Sequence, residues 1–267
     1  MKKILKIILG LVLTVIIIVL GFIIYDRITS DNTYTISEKN LKIPIFVYHD
    51  IVENEDEVEF DYMQIPKETF EEQILGLIKL GYKPISYEEL IAYSKGDIAI
   101  NKKSFLITFD DGFDGVYEYA YLFAKKYNIP ITSFIINNYI GKEGYFSWED
   151  AREMDKSGVV SIYSHSLKHD KYDSYSPQDL LQDVTESLTN IEKELGHDIT
   201  KVFTYPYGLY NEEGQKLLKE NGIVQNLTDN KINRSNKLNI YGLSRMYPLN
   251  DPVWKIILKI EYRSIRY

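Results

Sequence analysis

Strand-like and helix-like segments alternate along this chain from residue 43 onward. Short apolar runs predict buried strands at residues 43–48, 104–109, 130–136, 159–163, 201–205 and 223–226. Amphipathic segments between them predict helices at residues 67–80, 116–127, 148–156, 177–195 and 212–220, and a further helix begins at Ser86. Strands that alternate with helices form a parallel sheet. We therefore expect an α/β fold, a (β/α) barrel of about seven strands, with its chemistry at the carboxyl ends of the strands.

Local signals fix the ends of several predicted helices. Glu89 follows Ser86 by three residues, which is the pattern of a capping box. Ser147 can cap the helix at residues 148–156, and Pro177 stands at the first position of the helix that reaches residue 195. Residues 238–267 carry no pattern that assigns them to an element.

The N-terminus has a different character from the rest of the chain. Residues 7–24 are almost wholly apolar and uncharged, which is close to the length that a helix needs to cross a bilayer. Lys2, Lys3 and Lys6 precede this segment and predict a cytoplasmic N-terminus. The alternative is a cleaved signal peptide, but no small-residue cleavage site follows. We expect a transmembrane anchor at residues 1–27, a linker at 28–42, and a catalytic domain at 43–267 outside the cell membrane.

Composition narrows the chemistry of that domain. The formal net charge is −8 and no basic stripe is present, which disfavours nucleic acid as a partner. Cysteine is absent, so disulfides and thiolate zinc sites are excluded and any metal must bind to histidine and carboxylate side chains. The chain has four histidines, few enough to consider one by one. No feature of the sequence predicts the oligomeric state.

Asp110 and Asp111 stand together at the end of one strand candidate. Adjacent carboxylates repel each other, and burial of either requires a partner. A cation resolves this conflict, because one carboxylate can bind a metal ion while the other accepts a proton. A solvated turn at Asp110-Asp111-Gly112 is the alternative.

His165 and His169 follow another strand candidate and are four residues apart. This spacing allows two imidazoles to bind one ion, and Asp111 would add a carboxylate. Such a set leaves metal positions open for water and substrate. A pair of surface histidines in a loop is the alternative.

A third polar cluster follows the strand candidate at residues 201–205. Pro206 and Gly208 force a tight turn, which can direct the N–H of Tyr207 into the cleft as an oxyanion donor. The alternative is an ordinary aromatic turn.

These three motifs, in this order, resemble those of the polysaccharide deacetylase family, the NodB-homology group or carbohydrate esterase family four. The resemblance extends over about residues 43–250. It implies a distorted (β/α) barrel that binds a divalent metal, zinc foremost, with cobalt or nickel as the other options. It also implies that Asp111, His165 and His169 bind the metal and that Asp110 is the general base. Substrate-binding positions are expected at Tyr205, Pro206, Gly208 and Arg245.

Two departures from the usual family pattern point to one of its branches. Most members have an arginine at the position of Thr204 and a histidine near the C-terminus, but no histidine follows His197. His49 instead closes the first strand candidate, which resembles the circularly permuted branch that deacetylates poly-N-acetylglucosamine in biofilms. The resemblance makes His49 the general acid. For Arg245 we expect a structural arginine at the surface, and the alternative is that it replaces the missing arginine.

The resemblance implies hydrolysis of N-acetyl groups on an amino-sugar polysaccharide, either poly-N-acetylglucosamine or peptidoglycan. Two alternatives remain open. The same site could remove O-acetyl groups from a glycan, since an ester is easier to cleave, or the chain could be a non-catalytic relative that only binds sugar.

Overall fold

The computed structural model describes residues 10–19, 33–34, 41–60 and 62–266. Contacts divide the chain into two units, Met1–Thr33 and Tyr34–Tyr267. In the first unit, residues 10–19 are helical and exposed. Within the described ranges, no helix combines the length and the apolar character that crossing a bilayer requires. The remaining parts of the predicted anchor and linker, residues 1–9, 20–32 and 35–40, lie outside those ranges.

Seven parallel strands form the centre of the second unit. Each strand pairs with the next one along the chain, so that the spatial order equals the chain order. The strands are β1 (Ile45–Tyr48), β2 (Ser104–Phe109), β3 (Ile131–Ile135), β4 (Val160–Ser164), β5 (Val202–Thr204), β6 (Val224–Leu227) and β7 (Leu243–Ser244). The first six confirm the predicted strands within one or two residues at most ends.

The sheet curves round until its two edges meet. Met246, just after β7, forms a parallel bridge with Phe46 in β1. The Val47 N–H donates to the Met246 carbonyl at 3.0 Å, and the Met246 N–H donates to the Ile45 carbonyl at 2.9 Å. These bonds nearly close the barrel, and they confirm the predicted (β/α) architecture of about seven strands.

Helices cover the outside of the barrel. They are α1 (Lys67–Lys79), α2 (Tyr87–Lys95), α3 (Leu122–Tyr127), α4 (Trp148–Lys156), α5 (Pro177–Leu195), α6 (Glu212–Glu220) and α7 (Val253–Arg266). A π-helical segment, Val116–Tyr121, leads into α3. The capping boxes at Ser86 and Ser147 are present. Helix α7 was not predicted. It packs against α1 where Gly76 leaves room for Val253, since a Cβ on Gly76 would lie 2.5 Å from Val253 Cγ2.

Short strands and 3₁₀ turns complete the fold. The strands are Thr33–Tyr34, Lys42–Ile43, Asp50–Val52, Gln64–Pro66, Lys83–Pro84, Ile100–Asn101 and Asn233–Arg234. The 3₁₀ turns are Glu55–Glu57, Tyr172–Ser174, Pro206–Gly208 and Ser235–Lys237. Lys83–Pro84 adds to the side of β2, and Asp50–Val52 pairs with Gln64–Pro66 just beyond β1.

Burial explains why the barrel strands read as continuous apolar runs. All six residues of β2 and all five of β3 are buried, because one face of each strand fills the barrel and the other packs under helices. The polar residues therefore come only where the strands stop. His49 follows β1, Asp110 follows β2, His165 follows β4, Tyr205 follows β5 and Arg245 follows β7. Parallel strands bring these five positions to one end of the barrel.

Candidate active site

A cleft of about 860 Å³ opens at this end of the barrel. Its walls include most of the residues that the sequence singled out: His49, Asp110, Asp111, His165, His169, Tyr205, Tyr207 and Gly208. Pro206 and Arg245 are not among the lining residues. The size suits a sugar residue with its neighbours rather than a small ion alone.

Three side chains in the cleft converge on one point. Asp111 Oδ1 lies 3.4 Å from His165 Nε2 and 3.4 Å from His169 Nε2. Within the described part of the chain, this is the group of histidine and acidic side chains with the spacing of a metal site. Asp111 and His165 are buried and His169 is partly buried. The predicted metal ligands are thus brought together.

Both imidazoles are held by their other ring nitrogen. His165 Nδ1 lies 2.9 Å from the Thr204 carbonyl oxygen, so Nδ1 donates and Nε2 keeps its lone pair toward Asp111. His169 Nδ1 lies 3.1 Å from the Tyr207 hydroxyl. Thr204, at the position where the family resemblance implies an arginine, therefore contributes its backbone carbonyl.

The electrostatics of this group fit a cation. Burial lowers the pKa of His165 to about 3, so its contact with Asp111 is not an ion pair. Burial and the charge of Asp110 raise the pKa of Asp111 to about 8. Asp111 Oδ1 is buried without a hydrogen-bond partner, and the Nε2 atoms of both imidazoles face it. A divalent cation would satisfy all three atoms at once, because nitrogen and carboxylate oxygen are the ligands that zinc accepts.

Backbone strain is concentrated at the same place. Positive φ angles occur at Asp111 (72°), Ser166 (80°), His169 (65°) and Tyr207 (58°). Residues with side chains rarely adopt this left-handed conformation, and its cost is accepted mainly at functional sites. Here it directs the two ligand motifs and the turn after β5 toward one point.

Asp110 lies beside this cluster and has a different partner. The Arg245 guanidinium donates to both of its oxygens, from Nη1 to Oδ1 and from Nη2 to Oδ2, each at 2.7 Å. Burial alone would raise the pKa of Asp110, but the charge and the hydrogen bonds of Arg245 hold it well below its usual range. Asp110 is therefore ionised at neutral pH and fixed in orientation by a two-point contact.

Arg245 is wholly buried, so the expectation of a surface arginine is wrong. Nη1 also donates to the Thr108 hydroxyl at 3.2 Å, and Nη2 donates to the Thr228 hydroxyl at 2.9 Å. Arg245 reaches Asp110 from the end of β7, which is two strands along the sheet from β5, where Thr204 lies. No motif spacing predicted this contact, since it depends on the bridge between Met246 and Phe46.

His49 forms another wall of the cleft. Its ring lies parallel to that of Tyr247, with an interplanar angle of 2° and centroids 6.1 Å apart. Nδ1 is buried without a hydrogen-bond partner. Burial lowers the pKa of His49 to about 4, although the charge of Asp110 acts in the opposite direction. The ring is therefore neutral at neutral pH and available to exchange a proton with a ligand in the cleft.

The residues of the turn after β5 differ from one another in burial and in contacts. The Tyr205 hydroxyl is bound to Gln225 Oε1 at 2.7 Å, and Pro206 is buried. Tyr207 is 60% exposed and stands over His169, with ring centroids 4.5 Å apart. Gly208 has φ 67°, and a Cβ there would lie 3.3 Å from the Thr228 carbonyl oxygen. The turn thus sets Tyr207 on the rim of the cleft beside the metal-ligand group.

An aromatic wall that the sequence did not predict also lines the cleft. Phe113 and Tyr145 stack with centroids 5.0 Å apart, and the Tyr139 ring meets Tyr145 edge-on at 5.2 Å. All three line the cleft. Only Phe113 could have been suspected, because it directly follows the Asp-Asp-Gly motif.

Comparison with known proteins identifies the family and several relatives of this chain. A family model described as polysaccharide deacetylase matches residues 97–225. The protein YxkH of Bacillus subtilis (strain 168), whose name places it among the polysaccharide deacetylases, is 30% identical over 210 residues, covering 79% of this chain and 72% of that protein. The chain belongs to the polysaccharide deacetylase family. The segment that the family model matches contains Asp110, Asp111, His165 and His169.

A second relative of this deacetylase has a named substrate. The poly-beta-1,6-N-acetyl-D-glucosamine N-deacetylase of Staphylococcus aureus (strain MRSA252) is 31% identical over 173 residues, which cover 60% of this chain and 59% of that protein.

Solved structures share the fold of the deacetylase. Streptococcus pyogenes deacetylase PplD in complex with acetate aligns with a TM-score of 0.74 at 22% identity, covering 83% of this chain and 99% of that one. IcaB from Ammonifex degensii aligns with a TM-score of 0.72 at 24% identity, covering 84% and 98%. These likenesses confirm the barrel.

Proposed function

We propose that this protein is a zinc-dependent N-deacetylase of an extracytoplasmic polymer that contains N-acetylglucosamine. The observation that carries the proposal is the pairing of two unlike carboxylates in one cleft. Asp111 faces two neutral imidazoles and has no hydrogen-bond partner on Oδ1, whereas Asp110 is ionised by its contact with Arg245. Metal-assisted hydrolysis of an acetamide uses both a cation site and an ionised base beside it.

Zinc held by Asp111, His165 and His169 would polarise both a water molecule and the acetyl carbonyl. Asp110 accepts the proton that this water loses as it attacks the carbonyl carbon. Arg245 keeps Asp110 ionised before the reaction and aims its free lone pairs into the cleft. The same contact allows Asp110 to hold a proton only briefly, because the neighbouring guanidinium disfavours the neutral carboxyl.

The proton must then reach the nitrogen of the departing amino sugar. His49 lines the cleft, and the negative charge of Asp110 favours the protonated form of its ring. Its neutral ring takes up a proton during the reaction and donates it to the nitrogen as the C–N bond breaks. The Tyr207 N–H is the proposed hydrogen-bond donor to the acetyl oxygen as that atom gains negative charge. The products are acetate and a protonated amino sugar: the oxygen of the water ends in acetate and both of its hydrogens end on the nitrogen, so atoms and charge balance.

The poly-N-acetylglucosamine substrate is proposed from the Staphylococcus aureus relative. His49 before β2 and Arg245 after the other motifs are arranged as the permuted branch would require, so membership of that branch is part of the proposal. The aromatic side chains that line the cleft support a polymer of sugar rings, whose apolar faces stack on such surfaces.

The proposed location is the outer face of the cell membrane, with residues 1–27 as an uncleaved anchor. The uninterrupted apolar segment at residues 7–24 and the three lysines before it support this topology. Mass analysis of the membrane fraction should find the intact N-terminus. A mature chain that starts near residue 28 in the medium would contradict the anchor.

The decisive experiment is acetate release from defined substrates by the purified full-length chain loaded with zinc. We expect release from β-1,6-linked N-acetylglucosamine oligomers and none from the Asp110→Asn variant, which keeps the shape of the side chain. Release only from an O-acetylated xylan oligomer would replace amide with ester hydrolysis. Binding of the oligomers without any acetate release would identify a sugar-binding protein.

A further inference from the structure

Asp50 is an acidic side chain of the cleft to which the mechanism above gives no part. It begins the short strand Asp50–Val52 and lines the cleft. Asp110 is paired with Arg245, and Asp111 belongs to the metal-ligand group. Within the described ranges, by contrast, no basic side chain forms an ion pair with Asp50. The protein thus leaves the charge of this carboxylate uncompensated.

Neutral groups hold the Asp50 side chain in place. Gln64 Nε2 donates to Oδ2 at 3.3 Å, and the backbone N–H groups of Ile51 and Gly115 also donate to the carboxylate. The fit at Gly115 is close, since a Cβ there would lie 2.4 Å from Asp50 Oδ1. Burial raises the pKa of Asp50, and these hydrogen bonds only partly offset the rise. A carboxylate offers about four lone-pair positions, so three neutral donors leave room for a cation.

An aromatic pair stands beside this carboxylate. Phe113 and Tyr145 form an isolated antiparallel bridge, and their rings stack with centroids 5.0 Å apart. Phe113 comes two residues before Gly115, whose backbone binds Asp50. Burial raises the pKa of Tyr145 to about 12, and the negative charges of Asp111 and Asp50 act in the same direction. Tyr145 therefore lies within electrostatic reach of both the metal-ligand group and Asp50.

The chain that follows Asp50 adds negative charge to this part of the protein. Residues 53–60 contain five acidic residues and no basic residue. The end of this segment returns to the cleft, because Gln64 Oε1 accepts from the Glu59 N–H at 2.8 Å and Phe60 is a lining residue. The field of such a segment attracts a positively charged polymer toward the cleft.

We propose that Asp50, with Phe113 and Tyr145, forms a subsite for a glucosamine residue, the cationic sugar that deacetylation produces; the proposal rests on the function proposed above. Aromatic surfaces stack on the apolar face of a sugar ring. A carboxylate without a cationic partner binds the ammonium group of that sugar through charge-assisted hydrogen bonds. An N-acetylated sugar can stack in the same place, but its amide is neutral and cannot compensate Asp50.

Such a subsite makes the reaction sensitive to the sugars that flank the reacting one. A polymer that already carries a free amine near the reacting sugar is held by Asp50, so acetyl groups close to an earlier product site are removed preferentially. The preferred substrate class is thus a partly deacetylated polymer rather than a fully acetylated one.

A metal ion or a peptide fits this place less well than an amino sugar. Among the described residues, the group with the spacing of a metal site does not include Asp50. The lysine side chain of a peptide supplies an ammonium group, but it has no rigid ring to stack on the aromatic pair.

Binding is tested with a fully deacetylated glucosamine oligomer, which carries no acetyl group and cannot be turned over. Calorimetry on the zinc-loaded full-length protein compares Asp50→Asn, which keeps the shape of the side chain, with Asp114→Asn. Asp114 contributes to the raised pKa of Asp50 but is not among the lining residues of the cleft, which makes it the matched control. We expect Asp50→Asn to weaken binding roughly tenfold, the usual size for a hydrogen bond to a charged group, and Asp114→Asn to change it little.

Acetate release from two acetylated oligomers of equal length, one of which carries a single glucosamine residue, tests the effect on turnover. We expect the unmodified protein to favour the oligomer with glucosamine through a lower KM at similar kcat, and Asp50→Asn to lose this preference. Gln64→Lys places an ammonium group beside Asp50 Oδ2 and leaves Asp50 itself in place. It should lose the preference as well, with the melting temperature measured on the same preparation.

Equal losses for the neutral and the cationic oligomers in Asp50→Asn would overturn the proposal, because a residue that only shapes the cleft affects both. An unchanged affinity of Asp50→Asn for the glucosamine oligomer would also overturn it. Failure of the proposed deacetylation gives a different result. In that case no oligomer releases acetate, while the glucosamine oligomer still binds in a manner that depends on Asp50, and the subsite is supported without the reaction.

Discussion

Asp110 and Asp111 are neighbours in the chain, yet their surroundings shift the pKa values of the two carboxyl groups in opposite directions. On the base side, formed by Asp110 and Arg245, two 2.7 Å hydrogen bonds compensate the carboxylate and lower its pKa. On the ligand side, formed by Asp111, His165 and His169, burial and Asp110 raise the pKa of Asp111 to about 8. The negative charge of Asp110 is compensated by Arg245, whereas that of Asp111 would be compensated by a bound cation.

This difference shows how one Asp-Asp pair can supply two chemical roles. A positive φ of 72° turns Asp111 away from its neighbour, so the two side chains meet different surroundings despite adjacent positions. Environment rather than residue type separates a ligand from a base, as in other carboxylate pairs. Predictions that disturb one side and leave the other unchanged therefore test the assignment directly.

The largest effect is expected on the ligand side. Asp111→Ala removes the atom on which both imidazoles converge, so bound zinc should fall to background and acetate release should become undetectable. Elemental analysis and the acetate assay are run on one preparation, with His197→Ala as the control that removes a histidine outside the cleft. If the Asp111→Ala variant were active in a metal-free buffer, the ligand side would have no role as a metal site.

The next effect concerns His49. Its replacement by alanine should lower turnover by roughly 10²–10⁴, the usual contribution of a positioned proton donor. Zinc content should stay near that of the unmodified protein, since His49 is not among the converging atoms. Turnover, bound zinc and melting temperature are measured together. Normal turnover with a lowered melting temperature would instead identify His49 as a packing residue beneath Tyr247.

The sequence predicted the ligand side better than the base side for a physical reason. Asp111, His165 and His169 sit in short motifs at strand ends, so local spacing together with the parallel-sheet rule places them. The contact between Arg245 and Asp110 joins residues 135 positions apart in the chain, and it exists only because the barrel closes between β1 and β7. Strand β7 is two residues long, too short to leave a periodic pattern.

The helices, too, were predicted best where the sequence carries local signals. Helices with capping signals, such as those after Ser86 and Ser147, were predicted with correct starts. Helix α7 was missed because it has apolar side chains on two opposite faces, which obscures the single stripe of an amphipathic helix. The aromatic wall was missed because Phe113 lies in the loop after β2 whereas Tyr139 and Tyr145 lie in the loop after β3, and no local pattern encodes the approach of these two loops.

A third prediction tests the base side through stability. Arg245→Met leaves Asp110 buried without its partner, which should lower the free energy of unfolding by about 3–5 kcal/mol. The double variant with Asp110→Asn removes the charge as well and should regain part of that loss, while remaining inactive. Denaturant unfolding of the two single variants and the double variant gives the coupling. Additive losses would mean that the guanidinium and the carboxylate do not interact across the barrel.

The smallest effect contrasts a surface histidine with those of the cleft. His197 Nε2 lies 2.7 Å from Asp155 Oδ2, and Nδ1 lies 2.9 Å from the Asp198 carbonyl oxygen. These two acceptors favour the protonated ring and raise the pKa of His197, whereas burial lowers the pKa of His49 to about 4. A raised folded-state pKa stabilises the protein below the unfolded value near 6.5, and this stabilisation disappears as the pH rises through the folded-state pKa. Because His197 is exposed, its contribution should stay below about 1 kcal/mol. His197→Gln should therefore be less stable than the unmodified protein at pH ~5 and equally stable at pH ~9.

His49→Gln should respond in the opposite sense. The buried His49 ring resists protonation in the folded protein, which lowers the stability as the pH falls from about 6.5 toward 4. Removal of the ring should relieve that loss. Urea unfolding of the three proteins at both pH values measures the two differences. If they had the same sign, the contrast between the charged surface ring and the neutral cleft ring would be wrong.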